Sequence, residues 1–219
     1  MHTFLSGAMR WLEALQGRRL SMASRGWILV AVAAMGASFL FPLWHIHLEA
    51  PQYPEGLDLW IYGHELAAGN EGQDLEEINI LNHYIGMRPL REIDFLEMTM
   101  IPFVLGSFML LGLRAAVFGI MRNLIDVLML FVYASLFAFV NFAYRMYVYG
   151  HDLDPRAPIN PDPFMPALVG TNQIANMTQT SLPSWGSGFL LVALAAMALA
   201  IYLSRKESLV AEAAYAGAG

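Results

Sequence analysis

Apolar residues gather along this chain into four long runs, Trp27–Trp44, Ile93–Leu113, Leu124–Tyr144 and Gly186–Leu203. A helix needs about 20 residues to cross roughly 30 Å of hydrocarbon, so each run is read as a membrane-spanning helix. The first follows Arg18, Arg19 and Arg25. The second is approached through Asp94 and Glu97 and contains Pro102; the third starts beside Asp126 and leaves through Asn141 and Arg145; the fourth ends on Arg205 and Lys206. Pro42 is expected to kink the far end of the first span, where Gly36 and Ala37 are small enough for close helix approach. Ahead of it Phe4, Ala8, Trp11, Leu12 and Leu15 recur at helical spacing, with Arg10, Glu13 and Gln16 opposite. That pattern predicts an amphipathic helix on the membrane surface. An export signal is disfavoured, because the apolar run that follows is long and no small-residue cleavage site ends it.

Polar sequence separates the spans. Two connections are long, 45–92 and 145–185, and the one between them is short. The last follows a cluster of Tyr144, Tyr147 and Tyr149 that suits a membrane interface, and its Pro155, Pro158, Pro161, Pro163 and Pro166 predict an extended strap. The stretch Thr171–Pro183, rich in Thr, Asn and Gln, has the length of a short helix capped at Thr171 or Asn172 and stopped by Pro183. The expected fold is therefore an all-α membrane protein. It comprises a tail and surface helix over 1–25, a four-helix transmembrane domain over 26–204 with an ordered outer cap made from both long connections, and a second tail over 205–219.

Charge orients this arrangement. Arg10, Arg18, Arg19 and Arg25, then Arg114 and Arg122, then Arg205 and Lys206 fall on one side of the spans. Retained basic residues mark the cytoplasmic side, so both termini are expected there. The long connections, rich in acids such as Glu49, Glu55, Asp58, Glu65, Glu71, Asp74, Glu76 and Glu77, are expected outside, in the periplasm of a bacterium with the protein in its inner membrane. A composition 57% hydrophobic and 14% charged, with mean hydropathy +0.48, fits a partner that is the lipid bilayer. A net charge of −6 argues against nucleic acid.

Cysteine is absent, which excludes disulfides, thiolate metal sites, iron–sulfur clusters and c-type haem attachment to this chain. Histidine carries the candidate chemistry. Five of the six histidines, His45, His47, His64, His83 and His151, fall on the outer side. Outer methionines accompany them: Met87 after His83, Met98 and Met100 early in the second span, and Met165 and Met177. Imidazole and thioether without thiolate suit copper, since Met is a soft ligand for Cu(I) and His serves both copper oxidation states. The metal candidates are His45, His47, His64, His83 and Met87, with Glu97 and Met100 behind them. His45 and His47 share a face if that segment is extended and diverge if it is helical. Against this, boundary histidines are often structural, methionines often fill gaps, and Glu97 reads equally as a first-turn acid paired with Arg88 or Arg91.

The chain carries no Walker or dinucleotide glycine motif, and no catalytic residue is singled out. It is read as an accessory protein that binds or transfers copper, or that docks a periplasmic or membrane metalloenzyme during maturation, and not as an enzyme on its own. The alternatives are a respiratory redox subunit holding haem or quinol, for which no histidine sits mid-span, and a transporter subunit, for which the spans lack a central polar site.

The segments Tyr53-Pro54-Glu55-Gly56-Leu57, Ile78–Met87 and Gly170–Asn176 resemble those of small bacterial membrane proteins associated with respiratory gene clusters, including those of the copper enzyme nitrous-oxide reductase. The resemblance covers Trp44 to Ser187. It implies a role in copper-enzyme maturation or electron supply and assigns no catalytic residue.

Overall fold

The computed structural model describes residues 18–159 and 161–216, with the side chains of Leu96 and of 208–216 outside the description. The amphipathic helix expected over Phe4–Leu15 lies outside the described residues. Among the described residues, four helices are long and apolar enough to cross a membrane, within Met22–Leu40, Glu97–Phe118, Met121–His151 and Trp185–Glu207. We label the helices α1 (Met22–Ala37), α2 (Gln73–Tyr84), α3 (Leu96–Phe118), α4 (Met121–His151) and α5 (Trp185–Ala216), and the strands β1 (Trp44–Ala50), β2 (Tyr53–Ile61), β3 (Leu66–Ala68), β4 (Gly170–Ile174) and β5 (Met177–Pro183).

These five strands overturn the expectation of an all-α protein. They form one antiparallel sheet in the order β3-β2-β1-β5-β4. The first span ends before its apolar run does, for a local reason. Phe41, which precedes Pro42, is extended at φ −130° and ψ 147°, as the proline ring requires of its neighbour. Pro42 therefore ends the helical segment after a 3-10 turn at Ser38–Leu40 and does not kink it, and Trp44 opens β1. The helix expected over Thr171–Pro183 is a hairpin instead. Register pairs Ile174 with Met177, leaving Ala175 and Asn176 as its turn, and Ala175 sits at φ +53°. Pro102, by contrast, lies inside α3 without ending it.

The chain divides into two compact units. One comprises the described residues up to Gly36, Val104–Ala134 and those from Phe189 on. In it, small residues set helix spacing: a Cβ on Gly112 would lie 2.8 Å from Val32, and one on Gly36 would lie 3.3 Å from Met109. Ser24 is fully buried and donates to the Ala200 carbonyl at 2.7 Å, while Ser204 donates to Ser24 at 2.8 Å. The α3–α4 turn, with Gly119 at φ +64°, bonds to the segment before α1 through Leu20 N to Gly119 O at 2.7 Å and Met121 N to Arg18 O at 3.1 Å. The start of the first span and the second–third connection thus share one side.

The other unit, Ala37–Phe103 and Ser135–Gly188, holds the sheet. β1 pairs with β2 from its own connection and with β5 from the last one, so both long connections build one sheet. Alternation gives the sheet two unlike faces. Leu48, Ala50, Leu57, Leu59, Ile174 and Met177 form a buried core with Ile78, Leu81 and Ile85 from and just beyond α2. Those helix positions recur at 3 and 4 residue spacing, as one buried face demands. The segment between His151 and Gly170 forms neither helix nor strand among its described residues, in keeping with its prolines. Asp154 N donates to Gly86 O at 2.8 Å and Ile159 N to Tyr84 O at 3.0 Å, which straps it to the end of α2. Gly86, at φ +76° with the Asp154 backbone 2.9 Å from where a Cβ would stand, admits that approach.

Candidate metal centre

The opposite face of the sheet is polar and half-exposed. β1 presents His45, His47 and Glu49 there, and the β1–β2 register sets Asp58 across from His47 and Trp60 across from His45. His45 Nε2 and His47 Nδ1 both meet Asp58 Oδ1, at 2.7 and 2.8 Å. A carboxylate only accepts, so each ring donates its N–H to that one oxygen. His45, His47 and Asp58 are the group of three among the described residues whose ligand atoms lie within 4.8 Å of one another. The side chains are about one-third exposed, at 34%, 28% and 32%, so the site opens to solvent.

Its neighbours hold the three in place. The His45 ring stacks on Trp60 at 5.5 Å and 10°. The His47 ring occupies the space where a side chain on residue 56 would stand, and that residue is glycine at φ +81°. His47 Nε2 lies 3.6 Å from Glu49. Asp58 is fixed through its backbone: its N donates to Asp74 Oδ2 at 2.8 Å, and its carbonyl accepts from Gly69 N at 3.0 Å. Asp74 is 3% exposed and also accepts from Asn70 at 2.6 Å. Burial pushes the Asp58 carboxyl up, but hydrogen bonds and charge from His47 and His45 outweigh it and hold the group below the ordinary aspartate range.

The remaining sequence candidates do not join this group. His64 lies in the turn after β2, against Tyr62 at 5.9 Å and Glu65 at 3.6 Å. His83 lines a shallow surface recess with Asp154, Arg156 and Ala157. Met87 packs against the core on the buried side of the sheet. Met100 is exposed on α3. Glu97 is engaged elsewhere: Asn141 and Arg145, one turn apart on α4, both bond its Oε1, Arg145 through Nη2 at 3.0 Å. Asp94 pairs with Arg91 at 3.1 Å, and Arg88 with Asp152. Sequence reasoning passed over Asp58, although Leu57-Asp58-Leu59-Trp60-Ile61 alternates as a half-buried strand does.

No protein-family model and no curated protein matches this chain.

Two imidazole nitrogens and a carboxylate oxygen on one strand pair form a donor set for a divalent transition ion once each ring carries its N–H on the other nitrogen. The three atoms already converge, the exposed side leaves room for exchangeable ligands, and Asp74 and Trp60 supply the outer support such ligands need. The group fits a metal, with nitrogen and oxygen donors and no sulfur. Such an ion, when bound, supplies a Lewis-acidic or redox-active centre.

Proposed function

We propose that this is an accessory protein of the bacterial inner membrane whose outer sheet unit binds a divalent transition metal at His45, His47 and Asp58, and that copper(II) is its natural ion. The convergence of both rings on Asp58 Oδ1 is the observation that carries the reading. Copper is favoured because nitrogen and oxygen sites bind Cu²⁺ most tightly among first-row divalent ions. The thioether argument for Cu(I) drops out, with Met87 in the core and Met100 outside the group. The likeness of its loop segments to proteins of nitrous-oxide reductase clusters supports the same metal. The periplasmic assignment rests on the basic residues that flank the other ends of the spans. The neighbouring positions Thr171, Gln173, Thr178 and Thr180 give the open face the polar rim that a docking metalloenzyme would need.

Calorimetric titration of full-length protein in detergent with Cu²⁺ tests the site. Near-stoichiometric binding, lost in His45→Ala/His47→Ala and weakened at least tenfold in Asp58→Asn, is the expected result. Unchanged stoichiometry in the double variant overturns it.

A further inference from the structure

We propose a second site, independent of the metal: a basic recess at the outer ends of two spans that holds the phosphate of an anionic phospholipid headgroup. The recess is about 400 Å³ and is lined by Arg88, Arg91, Asp94, Arg145 and Tyr149, with Pro89 and Val148 between them. Three guanidinium groups thus face one carboxylate.

Two of the arginines are held side-on by an acid. Arg91 donates from Nε and Nη2 to Asp94 at 3.1 and 3.4 Å and Arg145 from Nε and Nη2 to Glu97 at 3.2 and 3.0 Å, while Arg88 forms an ion pair with Asp152 through Nη2. These contacts orient the Arg91 and Arg145 planes and use neither Nη1. Glu97 and Asp152 are not part of the lining. A guanidinium fixed along one edge presents its remaining N–H groups as a planar fork, the geometry that recognises phosphate. Arg145 also lies over the Phe95 ring at 5.7 Å, and Phe95 stacks on the buried Tyr149 at 6.3 Å and 15°, so the floor of the recess is rigid.

Position supplies the ligand class. α3 begins at Leu96 and the apolar run of α4 ends at Tyr144, so Arg145, Val148 and Tyr149 lie just past the hydrocarbon and the recess is at headgroup depth. Exposed Tyr144 and Tyr147 are the aromatic residues expected at that depth. Basic pockets between spans at this level take phospholipid headgroups. The lining itself sets three guanidinium groups against one carboxylate, with Glu97 and Asp152 outside it, so a headgroup with its own cation fits less well than an anionic one.

The test is the thermal midpoint of full-length protein in nonionic detergent, read by tryptophan fluorescence, with added dioleoyl-phosphatidylglycerol, dioleoyl-phosphatidylcholine or inorganic phosphate. Phosphatidylglycerol should raise the midpoint saturably and phosphatidylcholine should raise it less. Arg88→Gln/Arg91→Gln should weaken the phosphatidylglycerol effect at least tenfold, as loss of charge-assisted bonds implies. Arg88→Lys/Arg91→Lys, which keeps the charge and loses the fork, should fall between. Both arginines are exposed, so the variants should match the parent midpoint without lipid. Equal effects of the two lipids, or an unaltered response in the Gln variant, overturn the proposal. Inorganic phosphate that stabilises as well as phosphatidylglycerol does overturns the lipid source and leaves a soluble phosphate ligand.

Discussion

Single residues decide the centre on the sheet. Asp58 serves two imidazoles with one oxygen, and Gly56 is the position where a side chain would displace the His47 ring. The Asp58 carboxyl is held below its ordinary value, so it contributes stability above about pH 4 and loses it as pH falls through its folded value. The parent protein should therefore lose more stability between about pH 5 and pH 2 than Asp58→Asn, which has nothing to titrate there. Chemical denaturation at several pH values checks this, and parallel losses would contradict it. Protons also compete with a metal for the ring nitrogens, so metal affinity should fall on acidification as well.

Among the elements, the four spanning helices follow from the sequence, while α2 and the sheet do not, for identifiable reasons. Each apolar run corresponds to a helix, because length and apolarity alone decide which segments can span. The first run concealed a strand at its end: Trp44 continues the apolar run, yet the residues after it alternate between His45, His47 and Glu49 on one face and Ile46, Leu48 and Ala50 on the other. The Thr- and Asn-rich hairpin is not distinguished from a short helix by its sequence, because neutral hydrogen-bonding side chains cap helices and line strands alike. Pairing of β1 with β5 joins the first long connection to the last, which no local pattern reveals. With β1 extended, His45 and His47 do share a face, and Asp58 becomes visible only once β2 is in register. Of the acids near the spans, Glu97 ties α3 to α4 through Asn141 and Arg145. Its Oε2 is buried without a hydrogen-bond partner among the described residues, so the carboxylate depends on that tie. Arg145→Met should cost about 1–3 kcal/mol by stranding the charge, and adding Glu97→Gln should recover part of that. Unfolding of the single and double variants in mixed micelles measures both; a double variant worse than the sum would contradict the pairing.

At the scale of the whole molecule, the proposed orientation puts the basic ends of the spans in the cytoplasm and both long connections outside. The chain has no cysteine, so a single introduced thiol reports without background. In intact bacterial cells a membrane-impermeant maleimide should label Glu55→Cys and spare Lys206→Cys, and the reverse would invert the orientation. The metal centre is the claim on which the functional reading turns. Its most direct test is pulsed electron paramagnetic resonance on full-length protein loaded with one equivalent of Cu²⁺. Two coordinated imidazoles in the parent, one each in His45→Ala and His47→Ala and none in the double variant, is the predicted result; a copper signal unchanged by both substitutions would contradict the account.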